Sequence, residues 1–106
     1  MKKTNQSADG TSFHGSTVIT TINRLTNALG HAHYFQNTGE DKVNVEWICE
    51  NAVGEVVTIY DWKEGRRLGL DEEIEFHLGG DNKMATLIGR EELLTLLSKQ
   101  ANEYVS

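Results

Sequence analysis

Three stretches between residues 43 and 78 alternate apolar and polar side chains, and this alternation constrains the fold more than any other feature. Residues 43–50 place valine, tryptophan or cysteine at every second position, and residues 72–78 alternate again. Residues 55–63 are rich in β-branched and aromatic side chains. A period of two is typical of a half-buried β-strand. Because glycine-containing turns at 51–54 and 64–71 join these stretches, the sequence predicts a three-strand antiparallel meander.

The first turn sets the expected register of the meander. Pairing Glu50 with Glu55 across the turn places Trp47 on one face with Tyr60 and Trp62. This face is wholly apolar and aromatic, so we expect it to form the core. A slip of one residue would invert the assignment. The second face is half apolar, and such a face is often covered by a partner subunit.

A first helix is predicted before the meander. Apolar residues recur three or four positions apart, which is the spacing of an amphipathic helix, at Val18, Ile22, Leu25 and Leu29. Ser16 or Thr17 is the expected N-cap, and Gly30 has the expected position of a C-terminal cap.

A second helix is predicted after the meander. Asp81 or Asn82 can cap it, and it runs towards residue 100. One side carries Leu87, Leu94, Leu97 and Ala101, and Leu93 and Leu96 broaden that stripe. Gly89 costs about 1 kcal/mol relative to alanine inside a helix, so the helix could break there and start again at Arg90.

The remaining segments have no period. Residues 1–11 are polar and predict a mobile tail, and residues 31–41 predict a loop. A short extended segment is expected around Phe13. The sequence therefore predicts an α+β fold with one domain over residues 12–106: a small antiparallel sheet, made of the three-strand meander plus a short N-terminal strand, packed by two helices.

Composition narrows the function. The 106 residues have room for one core, and their formal net charge of −6 argues against binding long nucleic acid. Cys49 is the single cysteine, which excludes an intramolecular disulfide and a multi-cysteine metal cluster and favours a reducing compartment. No apolar run approaches the ~18 residues of a membrane span, so no membrane association is expected.

Signals for catalysis or metal binding are weak. His31 and His33 have the spacing of two zinc ligands, but no further ligands lie nearby in sequence. Cys49 occupies an apolar strand position, where a small buried hydrophobe is the more frequent role. A solvated strand face is the simpler explanation for Glu46, Glu73 and Glu75. We therefore expect neither an enzyme nor a metal or cofactor site.

The turn after the third strand is the strongest candidate site. It leaves a strand and opens a helix, where free backbone N–H groups can bind an anion. Its residues are Gly79, Gly80, Asn82 and Lys83. The alternative is a simple strand-to-helix turn with its cap. Arg66 and Arg67 can make bidentate contacts with phosphate, and Tyr60 and Trp62 could stack on a base or lie in the core.

The strings KVNVEWICE, GEVVTIYDWKEG and EIEFHLGG, with FHGST before the first helix, resemble a family of small bacteriophage-encoded proteins with EW, TIYDWK and HIGG strands. The resemblance covers residues 12–98. Some small phage proteins of this kind look like counter-defence proteins that sequester cyclic nucleotide signals, notably the cyclic ADP-ribose signal of Thoeris immunity. That resemblance implies ligand contacts from Asn82 and from two arginines on the last helix, where this chain has Arg90 alone.

Two functions are therefore expected. The first is a non-catalytic phage counter-defence protein, a homo-oligomer in the host cell cytoplasm, that binds and sequesters a small cyclic nucleotide-type immune signal. The second is an acidic inhibitor that binds a host defence protein directly, for example a CRISPR effector, because an acidic surface attracts a basic partner and speeds encounter.

Overall fold

The structure is a computed structural model that describes residues 1–100 in full and the backbone of the last helix through Val105. The elements are β1 (Lys2–Lys3), β2 (Ser12–Thr20), α1 (Ile22–Leu29), β3 (Tyr34–Phe35), β4 (Val45–Glu50), β5 (Val56–Tyr60), β6 (Ile74–Gly80) and α2 (Lys83–Val105). Strands β1, β4, β5, β6 and β2 lie side by side in that order, β3 also pairs with β4, and every pairing is antiparallel. The α+β class is confirmed, but a three-strand meander with one further strand understates this six-stranded sheet.

The meander of β4, β5 and β6 forms, but its first register differs by one residue from the expected one. Glu50 pairs with Val56 rather than with Glu55. The turn explains the shift, because the Asn51 N–H donates to the Glu55 carbonyl at 3.0 Å and so closes a three-residue loop. Gly54 ends that loop with a φ of 86°, as glycine does in this type of hairpin.

The shift changes which side chains of β5 face the core. Trp47 lies opposite Ile59, and Ile59 and Val57 are fully buried. The expectation that Tyr60 and Trp62 share the core face with Trp47 is therefore wrong. These two aromatic residues lie on the opposite face of the sheet, where Trp62 is 40% exposed.

Two short strands cover the outer edge of β4. β1 pairs with the last two residues of β4, and β3 pairs with its first two. Between them the Ile48 N–H donates to Nδ1 of His33 at 3.0 Å. The predicted tail at residues 1–11 and loop at 31–41 are wrong where these strands form. Pairing with a free strand edge uses backbone groups and needs no apolar period, so the sheet begins before residue 12.

Helix α1 begins later than predicted. Its N-cap is Thr21 rather than Ser16 or Thr17, and residues 12–20 instead form the edge strand β2. The β-branched run from Thr17 to Thr21 explains the difference, because such side chains favour strands over helices. Gly30 is confirmed as the C-terminal cap, with a φ of 96°.

Helix α2 starts after Asn82, whose Oδ1 accepts the Ala85 N–H at 2.9 Å, as predicted. The helix is continuous through Gly89, so no break occurs there. Leu93 is fully buried, whereas Leu87, which was expected on the buried side, is 40% exposed. The side chain of Ala101 lies outside the residues described in full.

Both helices pack on one face of the sheet. The core between the two layers is formed by Val18, Ile22, Leu25, Leu29, Val45, Trp47, Cys49, Val57, Ile59, Leu68, Ile74, Phe76, Leu78 and Leu93. Neither helix covers the other face of the sheet, which we call the open face. No helix among the described residues combines the length and the hydropathy needed to cross a bilayer.

Candidate binding site on the open face of the sheet

Four aromatic rings form a continuous line across the open face, which we call the aromatic row: Phe13, His77, Tyr60 and Trp62. Phe13 stacks on His77 with 4.2 Å between ring centroids, and His77 meets Tyr60 at 5.7 Å. Tyr60 meets Trp62 edge to face at 6.2 Å. The row forms because Tyr60 and His77 are opposite each other in the β5–β6 ladder and Phe13 lies on the neighbouring strand β2.

The ends of the aromatic row are open to solvent. Phe13 is 44% exposed and Trp62 is 40% exposed, while Tyr60 and His77 are half-buried. A single exposed apolar residue is common on protein surfaces. Several exposed rings side by side on a rigid sheet more often form a binding surface. Such rings can stack on a flat ligand, and stacking of a base on an aromatic side chain contributes about 1–3 kcal/mol.

A small pocket of about 210 Å³ adjoins the row, with Gly79 on its lining. A Cβ at Gly79 would lie 2.6 Å from Oγ1 of Thr58 and 3.5 Å from the ring of Tyr60. Any larger residue would therefore fill this space. The lining also includes Trp62 and Glu46, so a half-buried carboxyl lies beside the aromatic rings.

Glu46 also lines a neighbouring cavity of about 500 Å³ together with Tyr34, Asp41, Lys42 and Val43. Burial raises the pKa of the Glu46 carboxyl above its usual value. Burial and the nearby Glu46 charge raise the pKa of the Tyr60 hydroxyl. Glu46 therefore offers a hydrogen-bond acceptor between the two cavities, in a site that disfavours an unpaired negative charge.

Two lysines lie at the Trp62 end of the row. Nζ of Lys63 lies 5.4 Å from the centroid of the Trp62 ring, within the range of a cation–π contact. The Lys63 N–H donates to the Lys42 carbonyl at 2.8 Å, which ties the two residues together. The two lysines bring positive charge to this end of the site, beside the carboxyls of Asp41 and Glu46 on the neighbouring cavity.

The predicted glycine turn contributes one residue to this site. Gly79 lines the pocket, whereas Gly80 faces α2, where a Cβ would lie 2.9 Å from Cγ2 of Thr86. Close packing of the strand on the helix therefore explains Gly80. Asn82 serves as the helix cap and Lys83 is exposed, so the simple strand-to-helix turn describes these residues.

The structure does not bring the predicted arginines together with that turn. Arg66 and Arg67 lie in the loop between β5 and β6, and the seven residues of β6 then span about 20 Å from Ile74 to Gly80. Nη1 of Arg66 donates to the Glu72 carboxylate at 2.9 Å. Arg90 donates from Nε to the Thr17 carbonyl at 2.8 Å, beside the edge strand. The guanidinium groups of Arg66 and Arg90 therefore already have hydrogen-bond partners within the chain.

Sequence reasoning missed Phe13, His77 and Glu46 as members of the site. With the correct register, the alternation of β6 places His77 on the open face beside Tyr60, so a correct turn assignment would have found it. Phe13 has no such signal, because an irregularity in the β2–β6 pairing lies between residues 13 and 17.

Two residues first considered for catalysis or metal binding, Cys49 and His33, have structural roles. Cys49 is fully buried, which confirms its core position, and burial raises the pKa of its thiol to about 12. His33 accepts the Ile48 N–H on Nδ1, and its Nε2 lies 3.2 Å from the Thr4 carbonyl, so both ring nitrogens have partners. Among the described residues, no three histidine, cysteine or acidic side chains come together as metal ligands.

No protein-family model, no curated protein and no solved structure matches this chain.

Proposed function

We propose that the protein binds a small nucleotide-type molecule on the open face of its sheet and does so without catalysis. The observation that carries the proposal is the aromatic row beside a glycine-lined pocket, on a face that neither helix covers. The site offers three kinds of contact that a nucleotide needs: rings for stacking, an acceptor at Glu46, and positive charge at Lys42 and Lys63.

The sizes of the cavities support this class of ligand. The pocket of about 210 Å³ suits a single planar base, and the cavity of about 500 Å³ shares Val43 and Glu46 with it. Together they fall within the usual range for small-molecule sites. A base stacked at Trp62 would place its sugar and phosphate towards the second cavity, near Lys42.

Binding without catalysis is favoured by the state of Cys49 and His33, two of the groups considered above for catalysis or metal binding. The Cys49 thiol is sealed in the core with a raised pKa of about 12. The ring nitrogens of His33 are engaged with backbone atoms. Neither group can serve as a nucleophile or base for a ligand on the open face.

Sequestration of a cyclic nucleotide-type immune signal, as in phage counter-defence, is the biological role that we propose for this binding. Its support is the resemblance of residues 12–98 described above, together with a site that can hold a base and a phosphate. A homo-oligomer would enclose the ligand between two open faces, because Phe13 and Ile19 on that face are 44% and 63% exposed.

The decisive experiment is a thermal-shift and calorimetric titration with cyclic nucleotides and cyclic ADP-ribose isomers. A ligand at a hundredfold excess over its Kd stabilises the folded protein by about 2.7 kcal/mol. Trp62→Leu should weaken binding at least tenfold. Phe35→Leu is the matched control, because Phe35 is 51% exposed and pairs with Val45, away from the aromatic row. If no compound shifts the melting temperature, the proposal is wrong.

Direct binding to a host defence protein is the second candidate. Ile19 is 63% exposed on the open face and lies opposite the exposed Glu75, an arrangement of apolar and acidic groups that fits a basic protein partner. Ile19→Ser should reduce salt-sensitive capture of such a partner and leave nucleotide binding unchanged. Loss of nucleotide binding in Ile19→Ser would instead indicate that the nucleotide and the protein partner bind at the same site.

A further inference from the structure

A third cavity lies at the end of β2, and none of the four rings of the aromatic row lines it. It is a cleft of about 940 Å³ where the end of β2 meets α1 and the C-terminal part of α2. Its apolar lining includes Ile19, Leu94 and Leu97, and its polar lining includes Thr20, Arg24, Asp71 and Gln100. We call it the interhelical cleft.

Two orphaned polar atoms single out this cleft. Among the residues described in full, the buried side-chain atoms without a hydrogen-bond partner are Oγ1 of Thr20 and Oε1 of Gln100, and both residues line the cleft. Thr20 is only 1% exposed. An unpartnered buried polar group costs stability, so its occurrence twice at one cavity indicates a missing partner there.

The chemistry of the orphaned atoms defines that partner. Nε2 of Gln100 donates to the Arg24 carbonyl at 3.1 Å, which leaves Oε1 as an acceptor that needs an N–H or O–H group. The Thr20 hydroxyl can donate to a carbonyl. A secondary amide supplies both, because its N–H and C=O point in opposite directions.

The rest of the lining adds two requirements. Leu94 and Leu97 suit a branched apolar side chain. The exposed Arg24 has no ion pair among the described residues, so its guanidinium can receive a carboxylate. Asp71 is the acidic side chain on the lining, and its Oδ1 accepts Nδ2 of Asn23 at 2.8 Å. We propose that the interhelical cleft binds an N-acylated amino acid with an aliphatic side chain. This proposal does not rest on the function proposed above.

The test is a titration of ¹⁵N-labelled protein with N-acetyl-L-leucine, followed by amide chemical shifts. Binding should shift the amides of Thr20, Arg24, Leu94 and Leu97. 4-Methylpentanoate, which has the same side chain and carboxylate but no amide, should bind at least fivefold more weakly. Equal binding of the two probes, shifts confined to other residues, or no shifts at all would overturn the proposal.

Thr20→Val separates a ligand contact from a structural role. It keeps the shape of the side chain and removes the orphaned hydroxyl, so it should raise the melting temperature of the free protein. It should also weaken binding of N-acetyl-L-leucine at least fivefold and leave that of 4-methylpentanoate unchanged. Thr95→Val on the exposed side of α2 is the matched control and should leave both unchanged. Full binding of N-acetyl-L-leucine by Thr20→Val would contradict the assignment.

Discussion

Asp61, the residue after β5, is a fully buried acid whose carboxylate joins two strands. Its Oδ1 accepts the backbone N–H groups of Asn44 and Val45 at 2.8 and 2.9 Å, and its Oδ2 accepts Nδ2 of Asn44 at 2.9 Å. The contact fixes the start of β4 against the end of β5. The sequence gives no sign of it, because an aspartate after a strand looks the same whether it is solvated or buried.

Asp61→Asn tests how far the fold depends on a carboxylate at this position. An amide has one acceptor oxygen, so its NH₂ group must face either Nδ2 of Asn44 or the backbone N–H groups. We expect the free energy of unfolding to fall by about 1–3 kcal/mol in urea denaturation. Asp9→Asn, at an exposed position, should change it by less than about 0.5 kcal/mol. Equal midpoints for the two variants would show that the charge is not needed.

Cys49 gives a second prediction at the scale of one residue. Burial raises the pKa of its thiol to about 12, whereas an exposed thiol has a pKa of about 8.5. The folded state therefore favours the protonated thiol. Its contribution to stability is complete below about pH 8.5 and is lost as the pH rises towards 12.

At pH 8, a chromogenic disulfide reagent should label Cys49 at least about 10³-fold more slowly in buffer than in urea, because labelling requires opening of the core. Thr95→Cys in a Cys49→Ala background supplies the exposed control, and it should react at once under both conditions. Rapid labelling of native Cys49 would place the thiol outside the core.

Among the elements, the strands with an apolar period were predictable and the strands without one were not. The alternation of apolar and polar residues correctly predicts the burial of Trp47, Cys49 and Phe76. β1 consists of two lysines that pair with β4 through their backbone. Its side chains therefore give no signal from which the strand could be predicted. The register of β4 on β5 depends on the conformation of Gly54, which alternation does not determine.

Gly89 tests the packing of α2 on β5. In an isolated helix, Gly89→Ala would stabilise by about 1 kcal/mol. Here the new Cβ would lie 3.0 Å from both methyl carbons of Val57, which is fully buried. We expect a net loss of about 1–2 kcal/mol in urea denaturation, because overpacking outweighs helix propensity.

A double-mutant cycle identifies the cause of that loss. Val57→Ala removes the methyl groups that the new Cβ of Gly89→Ala would contact. The loss in free energy of unfolding of the double variant should therefore be smaller, by at least about 0.5 kcal/mol, than the summed losses of the two single variants. Ser98 is exposed on the same helix, so Ser98→Ala shows the gain from helix propensity without a contact to Val57. If the changes in free energy of unfolding at residues 57 and 89 were strictly additive, the contact with Val57 would not explain the glycine at position 89.

At the scale of the whole molecule, the fold separates two faces of one sheet, and the candidate site follows from that separation. Tyr60 and Trp62 were recognised in sequence as stacking candidates, but their face depended on the register of one hairpin. Arg66 was recognised for its charge, yet Glu72 neutralises it through two hydrogen bonds. Side-chain chemistry was thus readable from sequence, whereas proximity was not, because it depends on long-range pairing.

The two tryptophans report separately on the two faces. Trp47 is fully buried, and its Nε1 donates to the Gly30 carbonyl at 2.9 Å. Trp62 is 40% exposed at the end of the aromatic row. The emission of Trp47 should therefore lie at shorter wavelength than that of Trp62, and the difference between the spectra of the wild type and Trp62→Phe isolates the exposed residue.

That difference spectrum locates the ligand. A nucleotide stacked on the open face should quench the Trp62 component and leave the emission of Trp62→Phe unchanged. N-acetyl-L-leucine in the interhelical cleft should quench neither, because the cleft is lined by β2, α1 and α2 and by neither tryptophan. Titrations of both proteins with both compounds, followed by emission spectra, make the measurement. Quenching of Trp62→Phe by the nucleotide would place the base away from the aromatic row and contradict the proposed site.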